Sequence, residues 1–185
     1  MLERFRGDIL ANRNNRAILD RWPGLGPPDG WLVAGCLFQT VWNLQAGRPP
    51  ESDIKDYDLF YFDAADLSEA GERAMQARAE AVLGDLGIQV EVVNQARVHL
   101  WYEKDFGRPY APLESSRAGI ERFLVPCTCV GVRPGETVAP YGLEALYRGE
   151  LAMNPLMPHR DLFERKVASY RARWPALTIV DPDRT

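Results

Sequence analysis

The segment Ser52–Asp63, SDIKDYDLFYFD, carries two carboxylates two residues apart, Asp56 and Asp58, ahead of Leu59-Phe60-Tyr61-Phe62. The aromatics suit a pleated, half-buried strand, whereas a carboxylate is costly to bury unpaired. In a strand, residues two apart project to one face. Asp56 and Asp58 therefore point together and repel unless something positive lies between them. Two readings are open. The pair is solvated at an exposed strand start with Lys55 as partner, or it holds a divalent cation, which takes carboxylate oxygens together with water and substrate phosphates.

Two further stretches bear on the choice. In Val33-Ala34-Gly35-Cys36-Leu37-Phe38 a buried strand turns through glycine into a helix. This is either a tight turn or a place where helix-start N–H groups approach a phosphate. In Val90-Glu91-Val92 one carboxylate stands between β-branched residues, either as a solvent-facing strand residue or as a third acid. Three carboxylates converging from two strands could hold two metal ions for in-line phosphoryl transfer.

The elements that must position these groups follow from pattern. Residues 2–22 read as helix with a break near Ala11–Asn15, and the Gly/Pro-rich 23–30 as loop. A strand is expected over 31–36, a helix over 37–45, a breaker at 46–53, and the acidic strand over 55–62. Asp66 with Glu69 predicts a capping box for a helix ending near Leu83, with Gly84 and Gly87 as stops. The alternation from Ile88 to Tyr102 predicts a strand with a bulge near Asn94–Ala96. Ser115 or Ser116 caps a short helix, 125–133 reads as strand, and 141–151 and 161–174 as helices, joined by NPLMPH. The whole reads as a small mixed β-sheet with helices packed on it, an α+β fold.

The bulk numbers narrow the function classes. The chain has 185 residues, 46% hydrophobic and 26% charged, and a formal net charge of −4. No global basic field is present to hold long nucleic acid. No run approaches a membrane span and the N-terminus has no signal-peptide core, so a cytoplasmic protein without membrane partners is expected. The three cysteines, Cys36, Cys127 and Cys129, form no CxxC. Cys127 and Cys129 would share a face if their segment were a strand, as a metal pair or as buried thiols. His99 and His159 belong to no metal-ligating cluster.

The segments VAGC, DYDLF and VEV resemble the signature of the polymerase-β-like nucleotidyltransferase superfamily: an apolar residue and glycine opening a helix, an acid-x-acid strand, and a third acid on a later strand. GWLVAGCLFQTVWNLQAG, DIKDYDLFYFD, VEVVNQARVHLWY, CTCVGVR, YGLEALYRGEL and RARWPAL are similar to a bacterial nucleotidyltransferase family, from about Trp31 to Leu177. The resemblance implies one domain over 1–185, with N-terminal helices to about 22, a catalytic core of about 31–102 and a C-terminal part of about 115–177. It implies transfer of a nucleoside monophosphate from an NTP, with Mg²⁺ or Mn²⁺, to an acceptor hydroxyl on a small molecule, a protein or an RNA end. Asp56 and Asp58 would then bridge the metals. Glu91 would complete the catalytic metal site and help deprotonate the acceptor. Gly35 and Cys36 would cradle phosphate through their amides; Lys55, Arg97 and Arg117 are either further anion contacts or solvated surface charges. The chain departs from the pattern at Cys36, where many members have Gly or Ser, and in a longer spacing from Gly35 to Asp56. A non-catalytic nucleotide sensor or antitoxin-like module is the alternative, and a complete acid triad argues against it.

Overall fold

The computed structural model describes residues 1–180. The expected break in the N-terminal helix is a single residue. Helix α1 (Leu2–Ala11) ends at Asn12 and α2 (Arg13–Asp20) begins after it, followed by the short α3 (Trp22–Leu25). Asn12 is extended, and its Oδ1 accepts from the Asn14 and Asn15 N–H groups at 2.9 and 3.3 Å, the N-cap bonds that start α2. Its amide donates to Thr40 Oγ1 at 3.0 Å, and Asn15 donates to the Cys36 carbonyl at 2.9 Å. These buried amides fix the first turn of α4 (Gly35–Gln45) to the N-terminal helices.

Strand β1 is only Trp31–Val33, because Ala34 leaves the strand and Gly35 is already helical. The main sheet has the order β3-β2-β1-β4-β5, with β2 (Tyr57–Tyr61), β3 (Val90–Asn94), β4 (Gly131–Arg133) and β5 (Glu136–Val138). β2 and β3 run parallel; the other pairings are antiparallel. Alternation assigns the two faces. Tyr57, Leu59, Tyr61, Val90, Val92, Leu32 and Val132 enter the large core that also takes in α1, α4 and the C-terminal helices. Trp31 and Val33 face the other way, into a smaller cluster with Ile120, Cys129 and Val138, against which Phe60 and Phe123 pack.

Helix α5 (Glu69–Leu83) makes the crossover between the parallel strands. Its N-cap is Ser68, whose Oγ accepts from the Gly71 N–H at 3.0 Å; Asp66 instead accepts from the Ser68 N–H at 2.9 Å. The expected Asp66–Glu69 capping box does not form: the N-cap lies two residues later, at Ser68, the last extended residue before the helix, and its N3 residue is Gly71. β3 is an edge strand, and α5 closes that edge with side chains. Gln76 donates to the Val90 carbonyl and accepts from the Val92 N–H, both at 2.9 Å, and Glu72 accepts from the Asn94 N–H at 3.2 Å.

The strand expected to continue to Tyr102 ends at Asn94. A 3₁₀ turn (Gln95–Arg97) follows, then α6 (Val98–Phe106). The buried Asn94 side chain decides this. It accepts from the Asp63 and Ala96 N–H groups and donates to the Asp63 and Asp66 carbonyls, which turns the chain off the sheet. The segment expected as a strand over 125–133 is likewise a 3₁₀ turn (Pro126–Thr128) before the short β4. Pro126 cannot donate to a ladder. Cys127 and Cys129 are buried free thiols in that turn, both pushed up to about 12 by burial. Helix α7 (Ser116–Ile120) is capped by Ser115. The helix expected over 141–151 is α8 (Glu144–Arg148), stopped by Gly149 at φ 67° before β6 (Glu150–Leu151) pairs with β7 (Thr178–Ile179).

Helix α9 (Arg160–Arg173) packs against α4 through aromatic rings. Phe38 and Trp42 meet Tyr170 at centroid distances of 5.4 and 5.3 Å, and Trp42 meets Trp174 at 5.3 Å. Both indoles are satisfied, Trp42 by the Leu146 carbonyl and Trp174 by Asn43 Oδ1. Among the described residues no helix is long and apolar enough to cross a membrane.

The Asn94 bonds make a stability prediction. Replacing Asn94 by Ala strands buried backbone groups, each worth about 1–3 kcal/mol. Urea unfolding of Asn94→Ala is expected to show a loss of at least about 2 kcal/mol. A change near zero would mean that water replaces the amide freely.

Candidate active site

The β2–β3 register decides where the acids lie. Asp58 is directly opposite Glu91 in the parallel ladder, and Asp58 is opposite Val33 on β1. Residues paired in this way share a face. The Tyr57 N–H bonds to the Gln89 carbonyl at 3.0 Å, so the chain is already in register when Asp56 precedes it. One carboxylate oxygen from each of Asp56, Asp58 and Glu91 lies within 4.8 Å of the others. Asp56 and Asp58 are half-buried and Glu91 is exposed.

These groups do not neutralise one another. Burial, then the charges of Asp56 and Glu91, push the Asp58 carboxyl up to about 7, against a smaller opposing pull from Lys166. A set of oxygen-only donors, converging at this distance with one carboxyl pushed up by burial and by its acidic neighbours, fits a hard divalent cation. No other group of three or more His, Cys, Asp or Glu side chains among the described residues converges in this way.

The start of α4 borders the triad. The residue with positive φ is Ala34 (φ 58°, ψ −126°), not the glycine after it. An L-residue there is strained; Ala34 is held by packing against both hydrophobic clusters. Gly35 is needed for space. A Cβ there would come within 2.7 Å of Gln39 Nε2 and 4.0 Å of Asp56 Oδ1. The Cys36 thiol is fully buried and donates to the Val33 carbonyl at 3.4 Å; burial, then the charge of Asp58, raises it well above its ordinary value. The Cys36 side chain is therefore a core group and not a phosphate contact.

Of the three basic residues expected as anion contacts, Arg97 and Arg117 are engaged in ion pairs. Lys55 is exposed next to Asp56 in sequence. Arg97 is buried, pairs with Glu72 at 2.7 Å and donates to the Leu67 carbonyl at 2.8 Å. Arg117 is exposed on α7 and pairs with Glu121 at 3.4 Å. The cations that act on the acids come from α9, and the sequence reading missed them. Arg173 donates to Gln39 Oε1 at 3.0 Å and feels the charge of Asp56; Lys166 acts on Asp58. Arg48 donates to the Arg173 carbonyl and pairs with Asp53. Lys166, Tyr170 and Arg173, at i, i+4 and i+7, share a helix face, and that periodicity was available in the sequence.

A family model described as Nucleotidyltransferase matches residues 20–179. The chain belongs to this nucleotidyltransferase family. A solved structure described as a CCA-adding enzyme head domain is similar, with a TM-score of 0.75 and 25% identity, over 97% of this chain and 94% of that one. Among curated proteins no sequence match is found. The expected polymerase-β-like fold holds for this nucleotidyltransferase, with the third acid on a strand parallel to the acid-x-acid strand.

The raised carboxyl makes a prediction for the metal-free protein. The folded-state value of Asp58 lies above its ordinary value of 3.8, at about 7. Ionising it in the folded protein is unfavourable, so stability falls as pH rises between these values. Asp58→Asn is expected to melt higher than wild type in chelator above this range and to lose that advantage in acid. Equal melting temperatures throughout would show an unperturbed carboxylate.

Proposed function

We propose that this nucleotidyltransferase moves a nucleoside monophosphate from an NTP to an acceptor hydroxyl, using Mg²⁺ or Mn²⁺ held by Asp56, Asp58 and Glu91. The observation that carries the reading is the convergence of these three carboxylates from two paired parallel strands. The bound cation would offset charge on the triphosphate and on the attacking oxygen. The chain supplies the rest. Arg173, held by Gln39, and Lys166 face the acids and attract the phosphate oxygens. The start of α4, at Gly35 and Cys36, would favour an anion through its helix-start N–H groups. The acceptor oxygen bonds to the α-phosphorus, the bond to the β-phosphate breaks, pyrophosphate leaves with the electron pair, and Glu91 takes the hydroxyl proton. A need for NTP favours a cytoplasmic setting.

Two variants separate binding from transfer. Glu91→Gln is expected to keep much of the NTP affinity, read by thermal shift with Mg²⁺, while label transfer from NTP into a cell extract falls by more than tenfold, a loss above about 1.4 kcal/mol. Asp58→Asn is expected to lose Mg²⁺-dependent NTP binding itself. Wild type that binds NTP but never releases pyrophosphate would point to a sensor.

Gly35→Ala tests the phosphate side. Its Cβ displaces the flexible Gln39 amide and so removes the bond that holds Arg173. Folding is expected to survive, and NTP affinity is expected to fall by about 1.5–3 kcal/mol, the worth of a hydrogen bond to a charged group. Unchanged affinity would remove Gln39 and Arg173 from the site.

A further inference from the structure

Beyond Glu91 the triad opens into a cleft of about 540 Å³ between α5, the edge of β3 and α6. Its lining includes Glu69, Glu72, Glu91 and Asp105 against two guanidiniums, Arg73 and Arg97. Both guanidiniums are already used: Arg97 pairs with Glu72 at 2.7 Å and Arg73 with Glu69 at 3.2 Å. Glu91 and Asp105 have no ion-pair partner among the described residues, so the cleft is net negative. Gln76, Val92, Val93 and Trp101 complete the wall; Trp101 is half-exposed on α6, with Tyr102 and Phe106 close beside it at centroid distances of 6.1 and 6.5 Å.

A second observation is independent of the acids in the cleft. Arg173 acts on Asp56 and Lys166 on Asp58, and neither cation lines the cleft. The site therefore has a polarity. A triphosphate is attracted to the α4–α9 side and repelled from the α5–α6 side, which leaves the cleft as the approach for the acceptor. Carboxylates and an indole face both favour a cation, and both oppose a phosphate-bearing ligand. The volume suits a molecule of one or two rings.

We propose that this cleft is the acceptor site and that the acceptor is a small hydroxyl-bearing cation, of the amino-sugar or amino-polyol class, rather than a nucleic-acid end. The proposal rests on the transfer reaction proposed above for its direction, but its binding test needs neither NTP nor metal. Glucosamine, glucose and glucose 6-phosphate share one ring and differ in charge. Saturation-transfer NMR on the metal-free full chain, in mildly acidic low-salt buffer, is expected to rank them in that order. Asp105→Asn, an exposed change that leaves the fold intact, is expected to weaken glucosamine by roughly two- to fivefold, as for exposed charge pairs. Trp101→Ala is expected to weaken glucosamine and glucose alike. The proposal is overturned if glucosamine binds no better than glucose, if glucose 6-phosphate or a short RNA oligonucleotide binds best, or if the preference survives both substitutions. Failure of transfer with this ranking intact would count against the reaction and leave the cleft's preference standing.

Discussion

Like charges brought to one face by the parallel pairing of β2 and β3 are the constraint on which the rest of the molecule depends. With Asp58 opposite Glu91, a slip of one residue on either strand would send one acid to the core face, where Leu59 and Val92 now pack. The register is held from several directions. Antiparallel pairing to β1 fixes β2 on one side, the Gln76 amide substitutes for a neighbouring strand on the outer edge of β3, and Asn94 ends β3 by turning the chain. The side-chain closure also leaves an edge strand without a row of open backbone groups. Repulsion at the triad is thus offset by hydrogen bonding and packing a few ångströms away, not at the triad itself.

The second requirement is that cations reach the acids without cancelling them. No ion pair of Asp56, Asp58 or Glu91 with a basic side chain is present among the described residues. Arg173 is instead tied to a neutral amide, Gln39, and rests on the rings of Trp174 and Tyr170 at 4.4 and 5.9 Å. Lys166 lies over Tyr170 at 5.6 Å. Aromatic faces hold a cation near a site while leaving its hydrogen-bond donors available. The contacts of Phe38, Trp42, Tyr170 and Trp174 that join α4 to α9 therefore also carry two positive charges to the acidic end of the sheet.

What the sequence made legible follows from the range of the interactions involved. Strand parity in DYD and the β-branched flanks of Glu91 are local, and they identified the triad. The alternation of strands and helices gave the α+β class, and the likeness of VAGC, DYDLF and VEV to the superfamily signature identified the fold. The failures are at points where one side chain overrides periodicity. Val98, Leu100 and Tyr102 fit a strand alternation, yet Leu100 is 55% exposed, because the bonds of Asn94 to residues some thirty positions earlier turn the chain into helix. The β-branched run after Val125 looked like strand until Pro126 is weighed for its missing donor. Gly35 was read as the turn residue, whereas Ala34 takes the strained backbone and Gly35 makes room for Gln39. Arg97 was read as an anion contact because its partner, Glu72, is 25 positions away and on another element. Lys166 and Arg173 were overlooked because α9 was read only for its apolar phase.

A net charge of −4 and a site for a polyanionic nucleotide are compatible only through this segregation. Whole-molecule charge sets long-range steering, but within a screening length of roughly 8–10 Å the local arrangement governs. Here Arg173 and Lys166 of α9 act on Asp56 and Asp58, while Glu91 lines the acidic cleft between α5 and α6. A divalent cation held by the triad would offset Glu91 and leave Asp105 as the one unpaired charge of the cleft among the described residues, beside the neutralised pairs of α5. The contrast between the two approaches to the site would then rest on the cations of α9 on one side and on Asp105 on the other. The two substrates of a transfer reaction would then be sorted by sign before any directional hydrogen bond is made.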